Sequence, residues 1–180
     1  MSGSKEKISK RLSYVLRHRP DSIGLRLDQQ GYVEVELLLS ALARHGDELT
    51  IEQLNELVLT NDKKRFSFDP TGSRIRANQG HSINIDLNYD QKSPPPILYH
   101  GTASRFVPSI RQRGLLKGQR HHVHLTESRD TAMSVGSRYG EPVILIVRAD
   151  QMVANGSRFF LSENQVWLTE CVPPNHIEFP

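Results

Sequence analysis

The stretch Lys92-Ser93-Pro94-Pro95-Pro96-Ile97-Leu98-Tyr99-His100-Gly101-Thr102 divides the chain. Consecutive prolines fix φ, withhold backbone donors and favour an extended connector. Directly behind them, Ile97-Leu98-Tyr99-His100 reads as an apolar strand. Read outward from this point, the chain is two lobes, 1-92 and 97-180, joined by a Pro-rich linker at 93-96. With 180 residues in all, each lobe has enough length for a small core of its own.

Upstream of the prolines the periodicity is helical. Ile8, Leu12, Val15 and Leu16 share one face of a first helix. It must stop near Arg19, because Pro20 disfavours α geometry in its predecessor. Tyr32-Val33-Glu34-Val35 reads as a short extended piece, and Leu37, Leu38, Ala41 and Leu42 as a second helix ended by Gly46. Thr50 with Gln53 has the spacing of a capping box that opens a third helix, with Leu54, Leu57 and Val58 inward. Arg65–Phe68 and Arg74–Ala77 then alternate about Asp69-Pro70-Thr71-Gly72, which reads as a β-hairpin. Three helices followed by a hairpin is the order of a winged helix.

Downstream the pattern changes. Ile97–His100, His122–Leu125, Val143–Val147 and Val166–Thr169 are strand candidates. A helix running to Gly114 buries Val107 and Ile110, and another follows Thr126 as its N-cap and carries Ala132 and Val135. The expected fold class is therefore α+β. No G-x-G-x-x-G follows a strand and no G-x-x-x-x-G-K-[ST] is present, which argues against Rossmann and P-loop sites.

Composition sets outer bounds. Hydrophobic residues make up 37% and charged residues 24%, as in soluble globular proteins. No apolar run approaches the roughly 20 residues of a membrane span. The segment from Met1 to Lys7 lacks a hydrophobic signal region, so a cytoplasmic location is expected. Cys171 is the only cysteine, which excludes a disulfide framework and fits a reducing compartment. A net charge of +3 says little alone about a phosphate-rich partner; the placement of the arginines says more.

Arg17-His18-Arg19 ends the first helix. The ordinary reading is that these cations complement the negative end of the helix dipole. The sharper one is an anion site, if other arginines converge there. Lys63-Lys64-Arg65 opens the hairpin and Arg120 precedes the His122–Leu125 strand, each ordinary for a surface turn. Arginine is the informative residue type, since its planar fork binds phosphate oxygens in pairs. His100-Gly101-Thr102 marks either a plain turn or the mouth of a ligand cleft. His122 and His124 share a strand face, but no cysteine or carboxylate nearby completes a zinc set, and no metal is expected. Gln79-Gly80-His81-Ser82 reads as a polar connector, and Trp167 as a core residue.

Taken in order, Leu12-Ser13-Tyr14-Val15-Leu16-Arg17-His18, Asn61-Asp62-Lys63-Lys64-Arg65-Phe66, Gln79-Gly80-His81-Ser82, His100-Gly101-Thr102, Arg120-His121-His122-Val123-His124-Leu125 and Val166-Trp167-Leu168 resemble the RNA (tRNA) 2′-phosphotransferase family of the KptA type. Each segment is short, but the ordered set spans nearly the whole chain. The resemblance implies an N-terminal winged-helix-like RNA-binding lobe and a C-terminal ADP-ribosyltransferase-like α+β lobe that binds NAD⁺. It implies a catalytic set of Arg17, His18, Arg65 and Arg120, and an NAD⁺ cleft that includes His100, Gly101, Thr102, His124, Leu125, Thr126 and Val166. Lys64, Gln79, His81 and Ser82 are the further RNA or phosphate contacts it suggests. Thr126 stands where Ser is common in the family and keeps the hydroxyl. Gln165 stands where Gly is frequent and adds bulk.

The activity so implied is NAD⁺-dependent removal of an internal RNA 2′-phosphate. The phosphate attacks the ribose carbon that bears nicotinamide, nicotinamide leaves, and the 2″-hydroxyl then attacks phosphorus to give ADP-ribose 1″,2″-cyclic phosphate and free RNA 2′-hydroxyl. A phosphate nucleophile is already anionic and needs no general base, which suits Val166 at a position where protein-modifying relatives of that lobe place Glu. Two other readings stand beside it: ADP-ribose capping of terminal nucleic-acid phosphates, and a winged-helix nucleic-acid-binding protein with no enzyme activity. The partners implied are RNA and NAD⁺, with no membrane and a monomer favoured.

Overall fold

The computed structural model describes residues 2–61 and 64–180, with side chains from Glu6 onward. Asp62 and Lys63 of the expected basic turn lie outside the described residues. The chain forms two compact units that meet in sequence between Asn88 and Tyr89. That division falls ahead of the prolines for a physical reason. Lys92 N–H donates to the Phe159 carbonyl at 2.9 Å, and Asp150 N–H donates to that of Pro96 at 3.2 Å, so the proline segment is tied to the second unit.

In the first unit α1 (Ser2–Arg17) buries Leu12, Val15 and Leu16 completely. Pro20 then opens a 3-10 turn, Pro20–Ile23, whose φ it presets and for which its missing N–H costs nothing. β1 (Val33–Glu34) leads into α2 (Val35–Arg44), and α3 (Ile51–Leu59) follows. The capping box at Thr50 and Gln53 is formed in both directions, which satisfies donors that a helix start leaves open. β2 (Phe66–Phe68) and β3 (Arg74–Ala77) make the expected hairpin, with Phe66 opposite Ala77 and Phe68 opposite Ile75. Asp69 holds its turn. Its carboxylate accepts from Thr71 Oγ1, Arg74 N–H and Arg74 Nε, and these bonds, that of the Arg74 backbone foremost, hold it below the usual carboxylate pKa. The three strands are antiparallel in the order β1-β3-β2. One core packs the inner faces of all three helices against Phe66, Ile75 and Ala77.

The second unit is built on β4 (Ile97–Ala103), paired along its whole length with β7 (Pro142–Arg148). β11 (Ile177–Glu178) adds to the far side of β7. Between β4 and β7 lie α4 (Val107–Arg113), β5 (Leu115–Leu116), β6 (Val123–Leu125) and α5 (Arg129–Gly136). After β7 come α6 (Ala149–Ala154), β8 (Phe160–Leu161), β9 (Trp167–Thr169) and β10 (Cys171–Val172). The other sheets are β6-β9-β8 and β10-β5, again antiparallel. The whole is a mixed α and β protein with small antiparallel sheets. No helix among the described residues is long and apolar enough to cross a membrane.

Two local expectations need correction. The N-cap of α5 is Ser128, whose Oγ accepts from Thr131 N–H; Thr126 Oγ1 accepts from Ser128 N–H one step earlier. His100-Gly101-Thr102 is no turn but the middle of β4. The glycine there answers to packing, because a Cβ on Gly101 would fall 1.7 Å from the Ala132 carbonyl oxygen of α5. One on Gly136 would fall 2.6 Å from the Thr102 oxygen, so both sides of the crossing must be small.

Candidate functional site

The last turn of α1 brings Arg17 and His18 to one end of the first unit, where chain geometry leaves helix carbonyls without partners. Ser82 takes up one of them, its N–H donating to the Arg17 carbonyl at 3.0 Å. Its hydroxyl lies 2.9 Å from His18 Nδ1. The segment Gln79-Gly80-His81-Ser82 therefore closes over the helix end rather than serving as a plain connector. Gly80, at φ +86°, lies with its Cα beside the Arg17 guanidinium: an added Cβ would come 3.7 Å from Nη1. His81 is buried to 1% exposure and anchors the loop from within.

Arg65 reaches the same place from the start of β2. Its Nη1 donates to Asn61 Oδ1 at 3.3 Å. Asn78 fixes the backbone beneath it. It donates from Nδ2 to the Lys64 carbonyl and from its main chain to the Arg65 carbonyl, and accepts from Ser67 Oγ. Lys64 itself is exposed and carries φ +39°, while Gln79 is half-buried. Arg17, His18 and Arg65 together line an open pocket of about 330 Å³, continued along α1 by Tyr14, Ser13 and Lys10. Two guanidiniums and an imidazole at one concave surface can hold a dianionic oxygen cluster such as a phosphate.

The second unit has its own cluster. His100, on β4, has Nδ1 3.0 Å from the His124 carbonyl of β6, so Nδ1 must be the protonated nitrogen and Nε2 the acceptor. Burial drives the pKa of His100 down; the His124 carbonyl opposes this and the Arg120 charge adds to it. The ring is therefore neutral near pH 7. Arg120 Nη1 lies 3.0 Å from His124 Nδ1. A guanidinium has no acceptor, so His124 presents a lone pair at Nδ1. Thr126 exchanges backbone hydrogen bonds with Tyr99, which joins the end of β6 to β4.

Val166 ends a tight turn whose pivot is Ser162, buried to 1%; Ser162 Oγ lies 3.0 Å from both Val166 N and O. Gln165, inside that turn, stands at φ +61°. This gives its position a physical meaning, since glycine enters that region without penalty. Gly101, Thr102 and Leu125 are buried by the fold, whereas His100, His124, Thr126 and Val166 are half-buried. His122 tilts onto Phe160 at 5.6 Å between ring centres, and Phe160, like His124, stands opposite Leu168 in the β6-β9-β8 sheet. No group of three or more His, Cys, Asp or Glu residues gathers at one point among the described residues.

The sequence gives no role to Asn61, though it opens the Asn61–Phe66 stretch, nor to Asn78, which with it positions Arg65, nor to Glu127, whose Oε1 accepts from Trp167 Nε1 at 2.7 Å. An Asn one residue past a strand was the only signal available for Asn78.

The family model of the RNA 2′-phosphotransferase, Tpt1 / KptA family matches residues 3–171. A protein of Rhodopirellula baltica named "Probable RNA 2′-phosphotransferase" is 50% identical over 173 residues, 96% of this chain and 94% of its own. One of Pseudomonas syringae pv. tomato with the same name is 52% identical over 94% of this chain and 91% of its own. A third, from Flavobacterium johnsoniae, is 49% identical over 96% and 94%. At that identity and coverage, the chain belongs to the RNA 2′-phosphotransferase, Tpt1 / KptA family.

Proposed function

We propose that the protein removes an internal 2′-phosphate from RNA with NAD⁺ as co-substrate. The observation that carries this reading is the convergence of Arg17, His18 and Arg65 on one open pocket in a member of this family. The order α1-β1-α2-α3-β2-β3 supports a winged-helix reading of the first unit as its RNA-binding part. The second unit is proposed as the ADP-ribosyltransferase-like part.

NAD⁺ supplies a ribose carbon that accepts the RNA phosphate as nicotinamide leaves, and a hydroxyl that then displaces the RNA oxygen from phosphorus. Arg17 and Arg65 orient the 2′-phosphate and neutralise it. Arg120 is proposed to neutralise the phosphodiester as it becomes crowded in the second displacement, where fixed cations act most strongly. His18 donates a hydrogen bond to a phosphate oxygen or carries a proton, with its ring held by Ser82. His100 fits a ribose, because a neutral imidazole with its lone pair at Nε2 accepts from a hydroxyl without competing for charge. His124, Thr126 and Val166 are proposed to line that cleft, with Gly101, Thr102 and Leu125 shaping its wall. Lys64, Gln79, His81 and Ser82 are proposed to serve the RNA side, His81 and Ser82 through the loop they build.

The test is a pair of variants. Arg65→Ala and Arg120→Ala are expected to fold and either to accumulate ADP-ribosylated RNA or to be inactive, as followed by product mass. Wild-type turnover by either one removes that arginine from the mechanism.

A further inference from the structure

Tyr14 is the one aromatic side chain of the first unit, among the described residues, that is left largely exposed, at 44%. Its place is what gives this meaning. On α1 it lies three and four residues before Arg17 and His18, the spacing that puts side chains side by side on a helix face. It lines the same pocket as those two residues and Arg65. The pocket runs on toward the N-terminus past Ser13 and Lys10, so it is longer than one phosphate requires. Lys10 is held by Glu6 at 2.7 Å, but both partners are well exposed and such a pair exchanges readily for another anion.

We propose that Tyr14 is a base-stacking residue. A nucleobase of the RNA strand, belonging to the 2′-phosphorylated nucleotide or to one of its immediate neighbours, lies on the Tyr14 ring while its phosphate is held at Arg17, His18 and Arg65. The inference rests on the proposed function and extends it from the phosphate to the strand that carries it. The chemistry agrees. An aromatic face beside a cationic groove is how proteins hold single strands without reading sequence, since every base has a π-face. A free phosphate would gain nothing from the ring. The stack also supplies register: it fixes where along the strand the phosphate sits, which arginines alone do not do.

The experiment measures binding and turnover of a short single-stranded RNA with one internal 2′-phosphate, using the full chain. Three further RNAs each lack one base, at the phosphorylated nucleotide or at either neighbour. Tyr14→Ala is expected to weaken binding of the intact RNA by roughly 5- to 150-fold, the range for loss of one base–aromatic stack. Tyr14→Phe is expected to bind within about twofold of the wild type, because the ring and not the hydroxyl is used. At one abasic position the Tyr14→Ala effect is expected to vanish, the wild type having already lost the same affinity. An unchanged affinity for the intact RNA, or an equal loss on all four RNAs, overturns the proposal. Binding with no turnover by the wild type sinks the phosphotransferase reading while the abasic series still decides on Tyr14; no binding of any RNA overturns both.

Discussion

His100 and His124 hold opposite tautomers because they face opposite partners. A backbone carbonyl can only accept, so His100 carries its proton at Nδ1; a guanidinium can only donate, so His124 cannot. Burial adds a consequence for pH. The folded pKa of His100 lies below its ordinary 6.5, so the unfolded chain takes up a proton first as the solution is acidified. The contribution of His100 to stability is thus complete above pH 6.5 and declines as the pH falls toward the folded value. Replacing it by Gln is expected to flatten that acid limb in urea melts from pH 5 to 7, and an unchanged limb would place the titration elsewhere. His100→Ala is expected to raise the KM for NAD⁺ more than it lowers kcat. Gln165 offers a separate test. A left-handed residue with a side chain costs about 1–2 kcal/mol, of which glycine's extra chain entropy gives part back. Gln165→Gly is therefore expected to stabilise the fold by about 0.5–1 kcal/mol, read as a higher thermal midpoint.

At the scale of elements, the crossing of α5 over β4 decides what the signature His100-Gly101-Thr102 is for. Gly101 admits the Ala132 carbonyl, and Gly136 admits the Thr102 backbone. Gly101→Ala is expected to cost about 2–3 kcal/mol or more, since neither backbone can yield. A variant that melts like the wild type would show the crossing to be looser than this. Much at this scale was legible beforehand. The helical spacing of Leu12, Val15 and Leu16, the Thr50–Gln53 capping pair and the turn at Asp69–Gly72 each carry a local signal, and each element formed where that signal stood. The strands β5, β8, β10 and β11 did not show, because two residues leave no period to detect. The helix α6 is too short to have a stripe beyond Ala149 and Met152. Thr126 and Ser128 both have the chemistry of a cap, and only the bond from Thr131 N–H to Ser128 Oγ tells them apart. Likewise a His-Gly pair reads as a turn until a crossing helix is known. The support that Asn78 gives to the backbone at Arg65 is invisible in sequence, since it depends on a contact across the hairpin, whereas Asn61 lies only four residues from Arg65 and its role needs the side-chain geometry.

For the molecule as a whole, the proposed account needs both units: one to hold an RNA phosphate, the other to hold NAD⁺. The two clusters are assembled independently, Arg17, His18 and Arg65 by the first unit and His100, Arg120 and His124 by the second. An RNA held mainly through its phosphates loses affinity as salt rises, so the KM for RNA is expected to climb steeply between about 50 and 200 mM salt. The KM for NAD⁺ should change far less over that range. The most direct measurement is to incubate an oligonucleotide bearing one internal 2′-phosphate with the protein, with and without NAD⁺, following RNA mass and released nicotinamide together. The account expects loss of one phosphate from the RNA, nicotinamide in equal amount and a cyclic phosphate of ADP-ribose, all only when NAD⁺ is present. Dephosphorylation that proceeds without NAD⁺, or NAD⁺ consumption that leaves the 2′-phosphate in place on a stable ADP-ribosylated RNA, would contradict it.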